Sequence, residues 1–176
     1  MYRIMLVDDE PNVLRALVRL LTGPRYEIET FDSAEAALHR AQAATFDLVL
    51  SDYRMPGMDG VAFLTRFRAI QPDTMRLILS GHTDWQALLA AINQAEIYRF
   101  LPKPWDGDDL KLTIERALEH RAMLLENRRL AEQVRRQQAQ LSRQEAALHE
   151  LERTNPELAR VTWGEDGSVL LDLDED

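Results

Sequence analysis

Three carboxylates and one ammonium group stand where this chain could do chemistry. Asp52 closes the apolar run Phe46-Asp47-Leu48-Val49-Leu50-Ser51-Asp52, and the loop-forming Tyr53-Arg54-Met55-Pro56-Gly57-Met58-Asp59-Gly60 follows it. A carboxylate at the end of a buried strand, facing such a loop, sits where open α/β sheets bind ligands. A second apolar run, Tyr2 to Val7, ends in Asp8-Asp9-Glu10. If the two runs are neighbouring parallel strands, Asp8, Asp9 and Asp52 converge on one pocket. Like charges that close cannot all stay ionised without a counter-charge. A divalent metal with oxygen ligands supplies one, and Mg²⁺ suits that donor set. A third short apolar run leads to Leu101-Pro102-Lys103-Pro104-Trp105, with a lone Lys between two prolines. An acid pair, a single Asp and a Lys, each at a strand end, make a site suited to a phosphoryl group.

The elements that must position these groups alternate along the chain. Arg3–Val7, Glu27–Phe31, Leu48–Ser51, Arg76–Leu79 and Arg99–Leu101 read as short, mostly buried strands. Pro11–Leu21, Ser33–Ala43, Gly60–Ile70, Trp85–Gln94 and Asp108–Glu119 read as helices. Pro11 suits a first helical turn. Asp32 with Glu35 reads as a capping box for the second helix. Five βα units in a row imply a parallel sheet covered on both faces, with right-handed crossovers. Two strand orders fit five units, and the sequence alone does not choose between them.

Composition bounds the rest. A chain of 176 residues, 45% hydrophobic, holds one domain of ordinary size plus an extension. The net charge of −9 argues against a broad nucleic-acid-binding face. There is no cysteine, so disulfides and thiolate chemistry are excluded. No apolar run approaches membrane-spanning length and no signal peptide precedes the first strand, so the expected compartment is the cytoplasm, with no membrane partner.

Taken in order, Val7-Asp8-Asp9-Glu10, Asp52 with Met55-Pro56-Gly57-Met58-Asp59-Gly60, Ser80-Gly81, and Phe100-Leu101-Pro102-Lys103-Pro104 resemble the receiver domain of two-component response regulators, chemotaxis-regulator-like, over residues 1–120. The resemblance implies a flavodoxin-like, doubly wound, five-stranded parallel sheet of order 2-1-3-4-5, which places strands one and three together. It implies that Asp52 is the phospho-acceptor for a sensor histidine kinase or phosphotransfer protein. It implies that Asp9 is a direct Mg²⁺ ligand and that Asp8 holds the metal mainly through water. Asp52 and the backbone carbonyl of Arg54 complete that ligand set. Lys103 would pair with a phosphoryl oxygen, and metal and Lys together would spread the charge of a loose transition state. Ser80 would bond the phosphoryl group, and Phe100 stands where the family carries its switch aromatic. Lys103-Pro104 reads as a cis peptide, since only X-Pro bonds adopt cis cheaply. Arg54 and His82 depart from common choices and flank the route of water to an acyl phosphate. The segment Ala91–Asp106 looks like receivers often joined to cyclic-di-GMP hydrolase or transcription-activator domains.

After Glu119 the character changes. His120–Arg153 contains no Gly or Pro. Asn127, Val134, Leu141 and Leu148 recur every seventh residue, and Met123, Leu130, Gln137, Gln144 and Leu151 fill the companion positions. This a/d seam predicts a coiled coil. Asn at an a position favours a parallel, two-stranded homodimer, and two Gln positions limit its stability. The alternative is one amphipathic helix folded on its own domain. Asn155-Pro156 ends the helix, and two apolar runs around Gly164-Glu165-Asp166-Gly167 predict a β-hairpin with an acidic tip beyond it. The expected parts are therefore a receiver (1–120), a dimerisation helix (121–153) and a hairpin with acidic tail (154–176). The expected function is a response regulator acting by protein binding, without nucleic acid or separate catalysis beyond its own phosphorylation and slow dephosphorylation. Two rival readings exist. A haloacid-dehalogenase-type phosphatase needs two Asp one residue apart on its first strand, which the adjacent Asp8-Asp9 does not supply. A structural dimeriser or adaptor with phosphorylation-independent output would not need the full set of Asp8, Asp9, Asp52, Ser80 and Lys103.

Overall fold

The computed structural model of the chain describes residues 1–81 and 95–154, with the backbone of 162–163 and 169–170. His82, the helix predicted over Trp85–Gln94, the hairpin loop and the acidic tip lie outside the described residues. By internal contacts the chain divides into two units, Met1–Glu126 and Asn127–Asp176.

In the first unit, five strands form one sheet: β1 (Tyr2–Val7), β2 (Tyr26–Phe31), β3 (Leu48–Asp52), β4 (Met75–Ser80) and β5 (Arg99–Pro102). Their order is β2-β1-β3-β4-β5, and every pairing is parallel. The three central strands are built on the apolar stretches Ile4–Val7, Leu48–Leu50 and Leu77–Leu79, because a strand covered on both faces has little solvent side to spare for polar residues. All five residues of β3 and all six of β4 are buried. The expectation of mostly buried strands fails at the two edges. No residue of β2 is fully buried, and in β5 only Leu101 is. Each edge strand has one neighbour, so its second side faces water.

Helices cover both faces. Alternate residues Ile4, Leu6, Leu48, Leu50, Leu77 and Leu79 pack on one side with Leu17 and Leu21 of α1 (Pro11–Leu21) and with Leu110, Ile114 and Leu118 of α4 (Gly107–Thr154). Met5, Val7, Val49 and Ile78 face the other side, against α2 (Ala34–Ala41) and α3 (Gly60–Ile70). The capping of α2 corrects the sequence reading. Ser33, extended at φ −145°, is the N-cap, and its hydroxyl accepts from Ala36 N–H. Asp32 lies one residue too early to reach that amide.

Helix α4 runs 48 residues without interruption and ends just before Asn155-Pro156. Asp106 opens it, with its carboxylate accepting from the N–H groups of Asp108 and Asp109. In the second unit, β6 (Thr162–Trp163) pairs antiparallel with β7 (Val169–Leu170), Thr162 opposite Leu170. No helix among the described residues is long and apolar enough to cross a membrane.

A candidate phosphoryl-acceptor site

The strand order reverses direction between β1 and β3, and the crevice at their carboxyl ends is where such sheets bind ligands. Val7 pairs with Ser51, so the next residues, Asp8 and Asp52, emerge side by side. Carboxylate oxygens of Asp8, Asp9 and Asp52 all lie within 4.8 Å of one another. Asp8 is fully buried, Asp52 nearly so, and Asp9 is the more open of the three.

Lys103 arrives from the end of β5. Its backbone N–H donates to the Ser80 carbonyl at 2.8 Å, tying the end of β5 to the end of β4, and the Lys103–Pro104 peptide is cis. The ammonium Nζ lies 2.7 Å from Asp52 Oδ1 and 2.8 Å from Asp8 Oδ2, and 4.0 Å from Glu10 Oε1. The other oxygen of each buried carboxylate takes a backbone amide: Asp52 Oδ2 accepts from Arg54 N–H at 3.1 Å, and Asp8 Oδ1 from Glu10 N–H at 2.9 Å.

One cation is thus shared by two buried acids, and the titration behaviour follows. Burial is the largest influence on Asp52 and pushes its carboxyl above the usual range. Lys103 pulls it back, while the charge of Asp8 adds to the rise. For Lys103, burial works to lower the ammonium pKa. Hydrogen bonds to Asp52 and Asp8, with their charges, outweigh it and hold the group above its usual range. Lys103 has two carboxylate partners while Asp52 shares one ammonium, so pairing prevails over burial at Lys103 and burial prevails at Asp52. With one ammonium for three acids, the pocket is short of positive charge. An all-oxygen donor set of this span and charge fits a hard divalent cation.

The loop after β3 is shaped by close packing. A Cβ on Gly60 would lie 2.2 Å from the Asp52 carbonyl oxygen and 3.0 Å from Tyr53 Cα, so only glycine lets α3 start this close to the strand. Gly57 holds φ +80°, a left-handed turn. Asp59 caps α3, accepting from Ala62 N–H at 2.8 Å.

Of the residues named from the sequence, Asp8, Asp9, Asp52 and Lys103 meet in one pocket. Arg54 contacts Asp52 through its amide. Ser80 is buried at the end of β4 and adjoins Lys103 through its backbone. Phe100, opposite Ile78, is half-buried against the α2–α3 side of the core. The sequence reading missed Asp8 as the second anchor of Lys103. It also missed Arg76, buried in β4, whose guanidinium donates to the carbonyls of Ala95, Thr74 and Pro72.

Residues 4–115 match the response regulator receiver domain family. Among proteins of known role, the chain is 36% identical over 115 residues to the DNA-binding transcriptional regulator NtrC of Klebsiella pneumoniae, covering 65% of this chain and 24% of NtrC. It is 35% identical over 120 residues to the hydrogenase transcriptional regulatory protein HoxA of Cupriavidus necator, covering 68% of this chain and 25% of HoxA. The chain therefore spans about a quarter of the length of these curated relatives. A solved signal receiver domain of an HD domain-containing protein from Pseudomonas fluorescens Pf-5 superposes with a TM-score of 0.66 at 38% identity, covering 69% of this chain and 98% of that one. The chain belongs to the response regulator receiver domain family, the phospho-acceptor modules of two-component signal transduction.

Proposed function

We propose that the chain is a response regulator switched by phosphorylation of Asp52, with a sensor histidine kinase or phosphotransfer protein as donor and a protein as its downstream partner. The observation that carries this reading is the pairing of Lys103 Nζ with both Asp8 and Asp52 at the switch point of the sheet. An Asp52 oxygen attacks the phosphorus of a phosphohistidine. The P–N bond breaks, its electron pair stays on the imidazole nitrogen, and an acyl phosphate forms. Lys103 opposes the effect of burial and favours the ionised form of Asp52, and after transfer its ammonium would pair with a phosphoryl oxygen. The Arg54 amide orients the carboxylate through Oδ2. Asp8, Asp9, Asp52 and the Arg54 backbone carbonyl would hold Mg²⁺, which supplies positive charge to the phosphoryl oxygens when bound. The Ser80 hydroxyl is the proposed switch donor and Phe100 the ring that follows it.

Output is assigned to protein association. Met123, Leu130, Val134, Leu141, Leu148 and Leu151 are each 46–60% exposed in the single chain and follow the a/d register. Fully burying such side chains is worth about 1.5–3 kcal/mol each. A parallel, in-register second copy sets Asn127, Gln137 and Gln144 each against itself, so every polar seam amide meets a group that can both donate and accept. The switch is tested with beryllofluoride and Mg²⁺, which mimic the phosphoryl group. Amide resonances of Ser80, Phe100 and Lys103 should shift in the wild type and stay put in Asp52→Asn. Unchanged wild-type spectra would overturn it.

A further inference from the structure

The seam on α4 has a defined upper end. Counting back by sevens from Asn127, the next a position is His120 and the one before it is Thr113. Thr113 is buried in the receiver core, so it cannot meet a second chain. His120 is exposed, and Met123, the d residue that follows it, is 60% exposed. His120 is therefore the first a residue that a second copy can reach.

Contacts on two sides fix where that imidazole sits. Tyr98, just before β5, lies ring to ring with it, centroids 5.5 Å apart and planes tilted by 32°. Tyr98 is held in turn by its own N–H, which donates to the Arg76 carbonyl at 2.8 Å. Arg121, about a quarter-turn further round the helix, locks the helix against rotation. Its Nε donates to the Asp73 carbonyl at 2.8 Å, and its guanidinium lies 2.7 Å from Asp47 Oδ1. The other oxygen of Asp47 accepts from Arg3 N–H at 2.7 Å, so the clamp reaches the starts of both β1 and β3. With the phase of the helix fixed, His120 keeps its place at the head of the seam.

A parallel second copy brings two His120 rings together. A neutral imidazole both donates and accepts, so two neutral rings satisfy one another. An imidazolium only donates, and two of them repel. Among the described residues, the charged and titratable groups around the ring are Arg116 one turn before it, Glu119 beside it and the phenol of Tyr98, and the second chain adds the same set. Asp47 is committed to Arg121. One Arg and one Glu per chain leave the layer without net compensation for two added charges. We propose that His120 makes the dimer pH-sensitive: pairing of two chains displaces a proton from the His120 layer, and acidification loosens the coil at its receiver end. This rests on the coiled-coil reading above and is independent of the chemistry of Asp52. Separate chains take up protons at this position more readily than paired ones. Association is therefore strongest above the imidazole range, about pH 6.5, and weakens as pH falls through it.

The experiment is sedimentation equilibrium of the whole chain at about pH 7.5 and about pH 5.5, either side of the imidazole range and above the ordinary carboxylate one. One displaced proton weakens association about tenfold for each pH unit below that range, so the dimer Kd should rise about tenfold between the two conditions. His120→Asn keeps a polar pair at the layer, like that of Asn127, but cannot titrate, and its Kd should stay level. His149→Gln is the control. That ring lies 3.4 Å from Glu152, at a b position outside the seam, so the variant should keep the wild-type pH dependence. A wild-type Kd that does not change with pH, or one that changes equally in His120→Asn, would overturn the proposal and leave the coil standing. A chain that is monomeric at the higher pH would remove the coil, and this proposal with it.

Discussion

Replacing Lys103 with Met removes the cation shared by Asp8 and Asp52 while keeping most of the apolar stem. The ammonium is 2.7–2.8 Å from both carboxylates. Its side chain is 20% exposed, and those of Asp8 and Asp52 are 1% and 9%. Breaking a buried pair by deleting one partner costs about 3–5 kcal/mol. Partial exposure of Lys103, and the ability of Asp52 to take up a proton, put the expected loss near the lower end, about 3 kcal/mol. At about 2–4 °C per kcal/mol for a chain of this length, the melting temperature should fall by about 10 °C without divalent metal. Mg²⁺ then restores a counter-charge to the same oxygens. A ligand at a hundred times its Kd stabilises by about 2.7 kcal/mol, and a pocket that has lost its ammonium should hold the cation more tightly still. The stability loss should therefore shrink in saturating Mg²⁺. By linkage, Mg²⁺ affinity should rise in Lys103→Met, tenfold for each 1.4 kcal/mol regained. Urea unfolding with and without Mg²⁺, joined to calorimetric titration of the metal, measures both sides of this cycle. A loss that is the same in both conditions, with unchanged metal affinity, would refute the idea that Lys103 and the metal neutralise the same carboxylates.

Other outcomes follow from particular contacts. Gly60→Ala forces the Asp52 carbonyl away from a contact of 2.2 Å, so it should cost about 1–3 kcal/mol in urea unfolding and slow acetyl-phosphate labelling. Normal stability and normal labelling together would contradict the close approach. The hydrogen bond from Arg40 to Glu29, helped by the charges of Arg40 and Arg3, holds that carboxyl below its usual range. A depressed acid stabilises above its unfolded pKa and loses that contribution as pH falls through its folded one. Glu29→Gln should thus lower the urea midpoint at neutral pH, by up to about 1 kcal/mol, with the difference closing as the medium is acidified below the carboxylate range. Light scattering should give the whole chain twice the mass of its own sequence and residues 1–126 the mass of a monomer. Monomeric masses for both would remove the coil as a dimerisation element.

The sequence disclosed the central strands and the acidic pocket for one physical reason. Residues buried on both faces of a sheet must be apolar in succession, so a run such as Leu48–Leu50 announces itself, and the first polar residue after it marks the strand's carboxyl end. Edge strands give a weaker signal: Tyr26–Phe31 alternates with Glu27 and Glu29 because one of its sides meets water. Capping was legible only to within a residue. Asp32 and Ser33 have equally suitable side chains, and the extended backbone at Ser33 alone decides which of them reaches Ala36. Arg76 could not be read as buried. The carbonyls that receive its guanidinium come from Pro72, Thr74 and Ala95, and the last of these is nineteen positions away. The double role of Asp8 was hidden similarly, since Lys103 is ninety-five positions distant and only the sheet order brings it near.

The most direct test of the account is the covalent chemistry of Asp52. Wild-type chain and Asp52→Asn are incubated with acetyl phosphate and Mg²⁺ and compared by intact mass, before and after hydroxylamine. Burial holds the Asp52 carboxyl above its usual range, so its charge opposes folding as pH rises through that range; the Asn variant should be at least as stable as wild type at neutral pH, and any loss of labelling is then chemical. The wild type should gain a single phosphoryl group that hydroxylamine removes, and the variant should gain none. Stoichiometric labelling of Asp52→Asn, or a wild type that takes no phosphoryl group at all, would contradict the central claim.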